Sequence, residues 1–151
     1  MRILFGVQGT GNGHISRSRT LARALKARGI EVDYLFSGRA ADGYFEMGEF
    51  GEYRTFPGIS FVSHQGRISG WRTLKGLSPL RFWQDMRALD CRDYDLVISD
   101  FEPLSAHAAR RWQKTSLTIS HQASFDWPIP RWGERGFNRQ LMRHFAPVSR
   151  S

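Results

Sequence analysis

Short apolar runs alternate with segments of helical periodicity along most of this chain, and that alternation constrains the fold more than any other feature. The runs end in glycine, proline or polar residues and predict five strands, at residues 3–7, 32–36, 52–56, 96–98 and 117–119. Helical segments separate the strands, which is the pattern of parallel strands joined by right-handed crossovers. The sequence therefore predicts an α/β fold with a doubly wound parallel sheet and helices on both of its faces.

The first predicted helix is the one that the sequence marks most clearly. Its apolar face is formed by residues spaced three or four apart: Ile15, Ser18, Ala22 and Leu25. Gly29 is a natural end for this helix. Further helices are predicted at residues 40–49, 79–91, 103–114 and 137–145. Residues 57–76 are rich in glycine and serine and predict a long loop, which has room for a short strand at 59–62.

The composition fits one globular domain of 151 residues, with 40% hydrophobic residues to fill a core. No apolar run approaches the roughly 20 residues that cross a bilayer, and no leader-like segment precedes the first strand. The single cysteine, Cys91, excludes an intramolecular disulfide and a cysteine-rich zinc site. These features predict a cytoplasmic protein.

The segment after the first strand carries the strongest chemical signal. Glycines at every second position let the backbone turn tightly and leave room for a ligand. The helix that follows directs its unpaired amides and the positive end of its dipole at this crevice, so the segment can hold a phosphate. The predicted substrate-binding residues here are Gly9, Thr10, Gly11, Asn12 and Gly13. A tight turn without a ligand is the alternative.

Two common nucleotide-binding motifs do not fit this segment. A dinucleotide-binding G-x-G-x-x-G motif would need a glycine where His14 stands, and an acidic residue after the second strand, where Arg39 follows Gly38. A P-loop would need Gly-Lys-Ser/Thr after the loop, and the sequence has none there. These differences argue against an NAD(P)-dependent oxidoreductase and against a P-loop NTPase.

His14 and Asp100 are the predicted catalytic residues. A histidine at the start of a helix that faces the crevice can act as a general base near neutral pH, provided that a partner fixes its tautomer and stabilises the imidazolium. Asp100 follows the fourth predicted strand, and the carboxyl ends of parallel strands meet at one edge of the sheet. The expected step is removal of a proton from an acceptor hydroxyl. A helix cap or a hydrogen bond to a substrate phosphate is the alternative role of His14.

Three further residues are candidates for substrate contact. Glu102 lies at the same edge of the sheet, although it precedes a proline and also suits the N-terminus of the next helix. His121 and Gln122 follow the fifth strand and can contact an acceptor; a hydrogen-bonded loop histidine is the alternative. The remaining histidines show no metal-ligand spacing, so no metal site is predicted: His64, His107 and His144.

The glycine-rich loop and histidine at residues 9–14, placed after a first strand, resemble those of family 1 and family 28 glycosyltransferases. The best-known relative adds N-acetylglucosamine to the lipid-linked peptidoglycan precursor. Two later blocks, at residues 97–103 and 119–122, resemble an uncharacterised bacterial and archaeal branch of family-28-like transferases. Together the three blocks extend the resemblance over nearly the whole chain.

The resemblance implies a Rossmann-like half of a GT-B fold, in which the N-terminal domain binds the acceptor and the C-terminal domain makes most contacts with the nucleotide-sugar. It implies that His14 is the base, that Asp100 is its matching acidic residue, and that no metal is required. No cofactor is expected, because the nucleotide-sugar, favoured to be UDP-linked, is a co-substrate. The implied activity is inverting transfer of a sugar to an acceptor hydroxyl.

The chain is shorter than a GT-B enzyme, which needs about twice as many residues. Residues 1–151 are therefore expected to be the N-terminal, acceptor-side domain, with the donor-binding domain absent from this chain and supplied in cis or in trans. We favour a fragment of a longer protein over a split enzyme. Such a chain is expected to be inactive by itself.

Basic regions leave two further hypotheses open. The net charge is +8, and the last predicted helix combines arginines with an apolar side, so it can rest on the inner face of a membrane; packing against the domain or its missing half is favoured. The alternative function is a non-catalytic module that binds a phosphorylated ligand or nucleic acid. No recognised nucleic-acid-binding motif occurs, so nucleic acid is not an expected partner.

Overall fold

The computed structural model describes residues 1–58, 63–64, 67–68, 79–119 and 144–147. Its strands are β1 (Arg2–Gln8), β2 (Glu31–Ser37), β3 (Tyr53–Phe56), β4 (Ser63–His64), β5 (Arg67–Ile68), β6 (Leu96–Asp100) and β7 (Ser116–Thr118). Five of them form an all-parallel sheet in the order β3-β2-β1-β6-β7, whereas β4 and β5 form a separate antiparallel pair. The predicted parallel sheet is confirmed.

Within the described residues, the helices that connect or flank these strands are α1 (Asn12–Lys26), α2 (Pro79–Ala88) and α3 (Pro103–Arg111). The predicted helix at 40–49 is wrong, because two short 3-10 turns, Ala41–Gly43 and Met47–Phe50, stand there instead. Between the two turns Glu46 adopts a φ of 51°, a left-handed conformation that a continuous α-helix cannot contain. The predicted loop at 57–76 contains the β4–β5 pair, and the strand predicted at 59–62 lies outside the described residues.

Alternate residues of β1 supply the two halves of the core, as the period of a strand requires. Ile3, Phe5 and Val7 face α1 and pack with Ile15 and Ala22 of that helix. On the other face, Leu4 packs against residues of α3 and of the segment before β6: Leu89, Tyr94, Leu104 and Ala108. Each such fully buried large side chain stabilises the fold by about 1.5–3 kcal/mol. The sheet therefore has α1 on one face and α3 on the other, which confirms the doubly wound arrangement.

The centre of the sheet is the point where the order of the strands changes direction. The chain runs from β1 outward to β2 and β3 on one side, and then crosses to β6 and β7 on the other. In open α/β sheets, ligands bind beyond the carboxyl ends of the strands at such a point. The segments that leave β1 and β6 at this edge therefore form the natural place for a site.

Candidate active site

The ends of β1 and β6 are brought side by side by the sheet register. Val7 of β1 pairs with Asp100, the last residue of β6. The helix α1 starts at Asn12, so Gly13 and His14 lie in its first turn, directly over this edge. The structure thus places the two predicted catalytic residues on neighbouring elements, 86 positions apart in the chain.

His14 and Asp100 are in hydrogen-bond contact, as the sequence predicts. The Nδ1 atom of His14 lies 2.8 Å from Oδ1 of Asp100. A carboxylate oxygen can only accept, so the bond requires the proton on Nδ1 of the imidazole. This tautomer leaves the lone pair of a neutral ring on Nε2, the form in which a histidine can accept a proton. The Asp100 side chain is 0% exposed and that of His14 is 19% exposed, so the pair is largely shielded from water.

Two residues that the sequence reasoning missed complete the surroundings of Asp100. The Arg17 guanidinium binds both carboxylate oxygens, with Nε 3.1 Å from Oδ2 and Nη2 2.5 Å from Oδ1. The Ser18 hydroxyl, which is buried, donates to Oδ2 at 3.3 Å. The signal was present in the sequence, because Arg17 and Ser18 follow His14 by three and four positions and so share its face of the helix.

An aromatic stack covers His14. Phe101 follows Asp100 and adopts a φ of 53°. The centroids of its ring and of the His14 imidazole are 6.4 Å apart, and the two planes form an angle of 15°. Phe145 of the C-terminal segment contacts the same phenylalanine at a ring distance of 4.8 Å. A left-handed conformation is uncommon for a bulky residue. Here it reverses the chain at the end of β6, so that Asp100 and Phe101 both reach His14.

The glycine-rich loop is open at two of its three glycines. A side chain at Gly13 would meet nothing within 4 Å, and one at Gly11 would meet only the His14 ring, at 3.7 Å. Gly11 is the N-cap of α1 and provides no side-chain cap, and the first turn carries no acidic residue. The first amides of any α-helix have no intrahelical partner, and in α1 no N-cap side chain takes that place. This end of the helix can therefore offer donors to an anion or a hydroxyl oxygen.

Gly9 differs from the other two glycines because the protein itself occupies the space beside it. A Cβ there would overlap the Tyr44 hydroxyl and lie 2.7 Å from Tyr44 Cε1. The Gly9 amide donates to the Ser37 carbonyl at 2.6 Å. The close approach of the Tyr44 ring thus requires glycine at this position. Burial raises the pKa of Tyr44 to about 12, so this phenol is neutral at physiological pH.

The other predicted loop residues are held from both sides. The Thr10 hydroxyl accepts a hydrogen bond from Gln8 Nε2 at 3.2 Å. The side-chain oxygen Oδ1 of Asn12 accepts a hydrogen bond from Arg39 Nη2 at 3.0 Å. Arg39 was not predicted as a site residue, although it follows β2, the neighbour of β1 in the sheet. Its guanidinium also lies over the Tyr44 ring, 5.7 Å from the centroid, so Arg39 contacts both Asn12 and the residue that packs on Gly9.

Glu102 belongs to the packing beneath the site. Its side chain is fully buried and caps α3, accepting from the backbone N–H groups of Leu104 at 2.9 Å and Ser105 at 2.6 Å. This confirms the interpretation of Glu102 as a helix N-terminus residue. The carboxylate thus has protein donors and does not reach the surface, which argues against the predicted substrate contact at Glu102.

Some predicted residues lie outside this constellation. His121, Gln122 and most of the helix predicted at 137–145 are outside the described residues. His107 donates from Nε2 to the backbone carbonyl of His144 at 3.0 Å, which ties α3 to the C-terminal segment. Within the described ranges no cluster of metal-ligand side chains occurs, and no helix is long and apolar enough to cross a membrane.

Comparison with known proteins agrees with this architecture. The sequence model described as Glycosyl transferase family 1 matches residues 1–147. An uncharacterised glycosyltransferase of Methanosarcina acetivorans is 28% identical over 130 residues, which cover 83% of this chain and 33% of that protein. The UDP-N-acetylglucosamine–N-acetylmuramyl-(pentapeptide) pyrophosphoryl-undecaprenol N-acetylglucosamine transferase of Chromohalobacter salexigens is 33% identical over 105 residues, 64% of this chain and 26% of that one.

The fold is shared with a solved structure. The glycosyltransferase SnogD of Streptomyces nogalater superposes with a TM-score of 0.53 at 24% identity, covering 97% of this chain and 40% of SnogD. The chain thus spans between a quarter and two fifths of the length of these relatives.

Proposed function

The chain belongs to glycosyl transferase family 1, and from that premise we propose that it is the N-terminal, acceptor-side half of an enzyme that transfers a sugar from a UDP-linked donor to an acceptor hydroxyl. The observation that carries the proposal is the contact between His14 Nδ1 and the buried Asp100 carboxylate at the edge of the sheet. It leaves a basic nitrogen beside an open, glycine-rich helix N-terminus.

His14 acts as the general base. Its Nε2 atom takes the proton of the acceptor hydroxyl while that oxygen forms a bond to the anomeric carbon of the donor sugar. The bond between the anomeric carbon and the diphosphate oxygen breaks, and the nucleoside diphosphate leaves with the electron pair. Attack from the face opposite the leaving group inverts the anomeric centre. A positioned base of this kind contributes about 10²–10⁴-fold in rate.

Asp100 makes this proton transfer favourable in two ways. Its hydrogen bond holds the imidazole ring in one tautomer and one orientation, and its charge stabilises the imidazolium that forms. The low exposure of both side chains strengthens the interaction, because little water screens it.

The open loop binds substrate oxygen atoms. At the start of α1, a Cβ built on Gly13 would meet nothing within 4 Å and one on Gly11 only the His14 ring, so there is open space beside this end of the helix. An anionic or hydroxyl oxygen bound there gains about 0.3–1 kcal/mol from the helix dipole alone. Thr10 and Asn12 line the same loop, and both hold their side chains in place by hydrogen bonds. His121 and Gln122 are the further residues that we propose for contact with the acceptor.

The donor-binding half lies outside residues 1–151, in cis or in trans. The relatives support this division, since the matched segment makes up only 26–40% of the length of each of them. The site at the edge of this sheet would then be closed by the second half, with the reaction in the crevice between the two. A cytoplasmic location, with peripheral contact at the inner face of the membrane, fits a lipid-linked acceptor.

The experiment that tests this function uses the complete protein containing this chain, together with any second subunit that co-purifies with it. A panel of UDP-sugars is offered with a lipid extract or a water-soluble extract of the source cells, and UDP release is measured. We expect release with at least one sugar, dependent on one of the two extracts, and its loss in His14→Gln. No release with any nucleotide-sugar and either extract contradicts the proposal and favours a non-catalytic binding module.

A further inference from the structure

We propose that Arg17 is a positioning residue that supplies the counter-charge of Asp100, so that His14 stays neutral with its proton on Nδ1 and its lone pair on Nε2. The inference rests on the proposed function in one respect, since that function requires the Nε2 lone pair to accept the proton of the acceptor hydroxyl. The arrangement of charges itself can be tested without substrate, in the complete protein.

The starting point is the burial of Asp100. Its side chain is 0% exposed. A carboxylate without water needs a cationic partner, or else it takes up a proton. Among the described residues, the side chains in contact with this carboxylate are His14, Arg17 and Ser18. Only the histidine and the arginine can carry a positive charge, so one of these two must balance it.

Arg17 is suited to that task by geometry and by chemistry. Two of its nitrogens bind the two carboxylate oxygens, which is the fork arrangement that favours arginine over lysine. A guanidinium is always charged in proteins, so it balances Asp100 at every physiological pH. The same Nη2 atom lies 3.1 Å from Nδ1 of His14, so Arg17 contacts both members of the pair. With Arg17 in place, the histidine has no need to hold a second proton.

Removal of Arg17 changes where the protons lie. The buried pair of His14 and Asp100 then takes up one additional proton to remain neutral overall. If the imidazole holds it, both ring nitrogens carry hydrogen. If the carboxyl group holds it and donates to Nδ1, the ring proton moves to Nε2. In both arrangements Nε2 carries a hydrogen, and His14 can no longer accept one from a substrate.

The direct test is nitrogen NMR of the ring. The complete protein is labelled with ¹⁵N-histidine, and the His14 signal is identified by its loss in His14→Gln. Near neutral pH, we expect an unprotonated Nε2 in the wild type and a protonated Nε2 in Arg17→Met. An Nε2 atom that stays unprotonated in Arg17→Met overturns the proposal.

Two arginine variants serve as controls. Arg17→Lys keeps the positive charge but loses the fork, and we expect it to keep Nε2 unprotonated, which separates the effect of charge from that of shape. Arg23→Met removes an arginine of the same helix that pairs with Glu49 at 2.9 Å, where the Arg23 side chain is 61% exposed. Because this exposed pair does not include a buried carboxylate, we expect the wild-type His14 spectrum. A change in Arg23→Met equal to that in Arg17→Met contradicts a specific role.

A stability measurement keeps the proposal testable if Arg17→Met folds poorly. The double variant Arg17→Met/Asp100→Asn also removes the carboxylate that Arg17 neutralises. We expect the double variant to unfold at a higher urea concentration than Arg17→Met alone. Equal or lower resistance to urea means that Asp100 does not need the charge of Arg17, and overturns the proposal.

The complete enzyme provides a readout that a merely structural role would not move. At neutral pH we expect Arg17→Met to lower kcat by about 10²–10⁴-fold, the contribution of a general base, with little change in KM for the donor. Raising the pH restores part of kcat in Arg17→Met but not in His14→Gln, because only the former still has a base to deprotonate. A loss of the same size at every pH contradicts the inference. If His14→Gln itself retains full transfer, the proposed function fails, and the NMR result stands independently.

Discussion

The hydroxyl of Ser37 lies 2.6 Å from Oε1 of Glu102, and this hydrogen bond joins the end of β2 to the N-terminus of α3 beneath the candidate site. Glu102 accepts two further hydrogen bonds from backbone N–H groups of α3. A single carboxylate thus holds together two elements that border the crevice. Burial raises the pKa of Glu102. The hydrogen bonds from Ser37 and from the helix amides lower this pKa, but their effect is smaller than that of burial.

The raised pKa of Glu102 predicts a specific dependence of stability on pH. A group whose pKa is higher in the folded state contributes stability that is complete below the ordinary glutamate pKa of about 4.3 and is lost as the pH rises through the folded pKa. The variant Glu102→Gln cannot ionise, although it leaves one helix amide without its acceptor, at a cost of about 1–3 kcal/mol. We expect this variant to be less stable than the wild type at low pH, with a deficit that shrinks as the pH rises.

Urea unfolding at a series of pH values measures this difference. The free energy of unfolding of the wild type should approach that of Glu102→Gln by no more than about 1.4 kcal/mol per pH unit, which is the limit for one proton. Ser37→Ala is the matched control: it keeps the carboxylate but removes a bond that lowers its pKa, so the loss of stability should extend to higher pH. A constant offset between wild type and Glu102→Gln at all pH values would show that this carboxylate keeps its ordinary pKa.

The two glycines at the start and end of the loop should respond oppositely to alanine. Gly9→Ala forces its methyl group against the Tyr44 ring, and overpacking of this kind costs about 1–3 kcal/mol. Gly13→Ala enters open space in the first turn of α1, where alanine is favoured over glycine by about 0.5–1 kcal/mol. Thermal unfolding of both variants measures the contrast. Tyr44→Phe in the Gly9→Ala background removes the overlapping hydroxyl and should recover part of the loss; equal stabilities for the two alanine variants are not compatible with the structure.

Most of the fold was predictable because the central strands of the sheet, β1, β2 and β6, are largely buried and read as apolar runs. The predicted helix at 40–49 failed for a local reason: its composition allows a helix, but Glu46 turns left-handed so that Met47 and Phe50 reach the core beside β2. The β4–β5 pair has only two residues in each strand, too few for a period of two to be visible.

The candidate site was predictable to the extent that topology determines it. Parallel strands bring their carboxyl ends together, which was enough to pair His14 with Asp100. Arg17 and Phe101 were missed, since a helical arginine usually faces solvent and the left-handed turn at Phe101 has no sequence signature. Tyr44 was also missed, because its position over Gly9 depends on the 3-10 turn that replaced the predicted helix.

Cys91 offers a probe of the second half of the core. The thiol is fully buried, and burial raises its pKa to about 11, so it is protonated and shielded at mildly alkaline pH. Thiolate is the reactive form. We expect the folded chain to react slowly with a thiol-disulfide reagent, and one equivalent to react quickly after unfolding in urea, since the sequence has one cysteine. Immediate reaction of one equivalent without urea would show that the packing around Cys91 opens readily.

The central claim is that His14 is the base that accepts the proton of the sugar acceptor. The most direct measurement compares wild type and His14→Gln in the complete enzyme, with kcat for transfer and the Kd for the donor determined on the same preparations. We predict a fall in kcat of about 10²–10⁴-fold with an unchanged Kd, because the donor binds mainly to the other half. Unchanged kcat in a folded His14→Gln protein would contradict the account and leave His14 as a residue that supports the structure of the site.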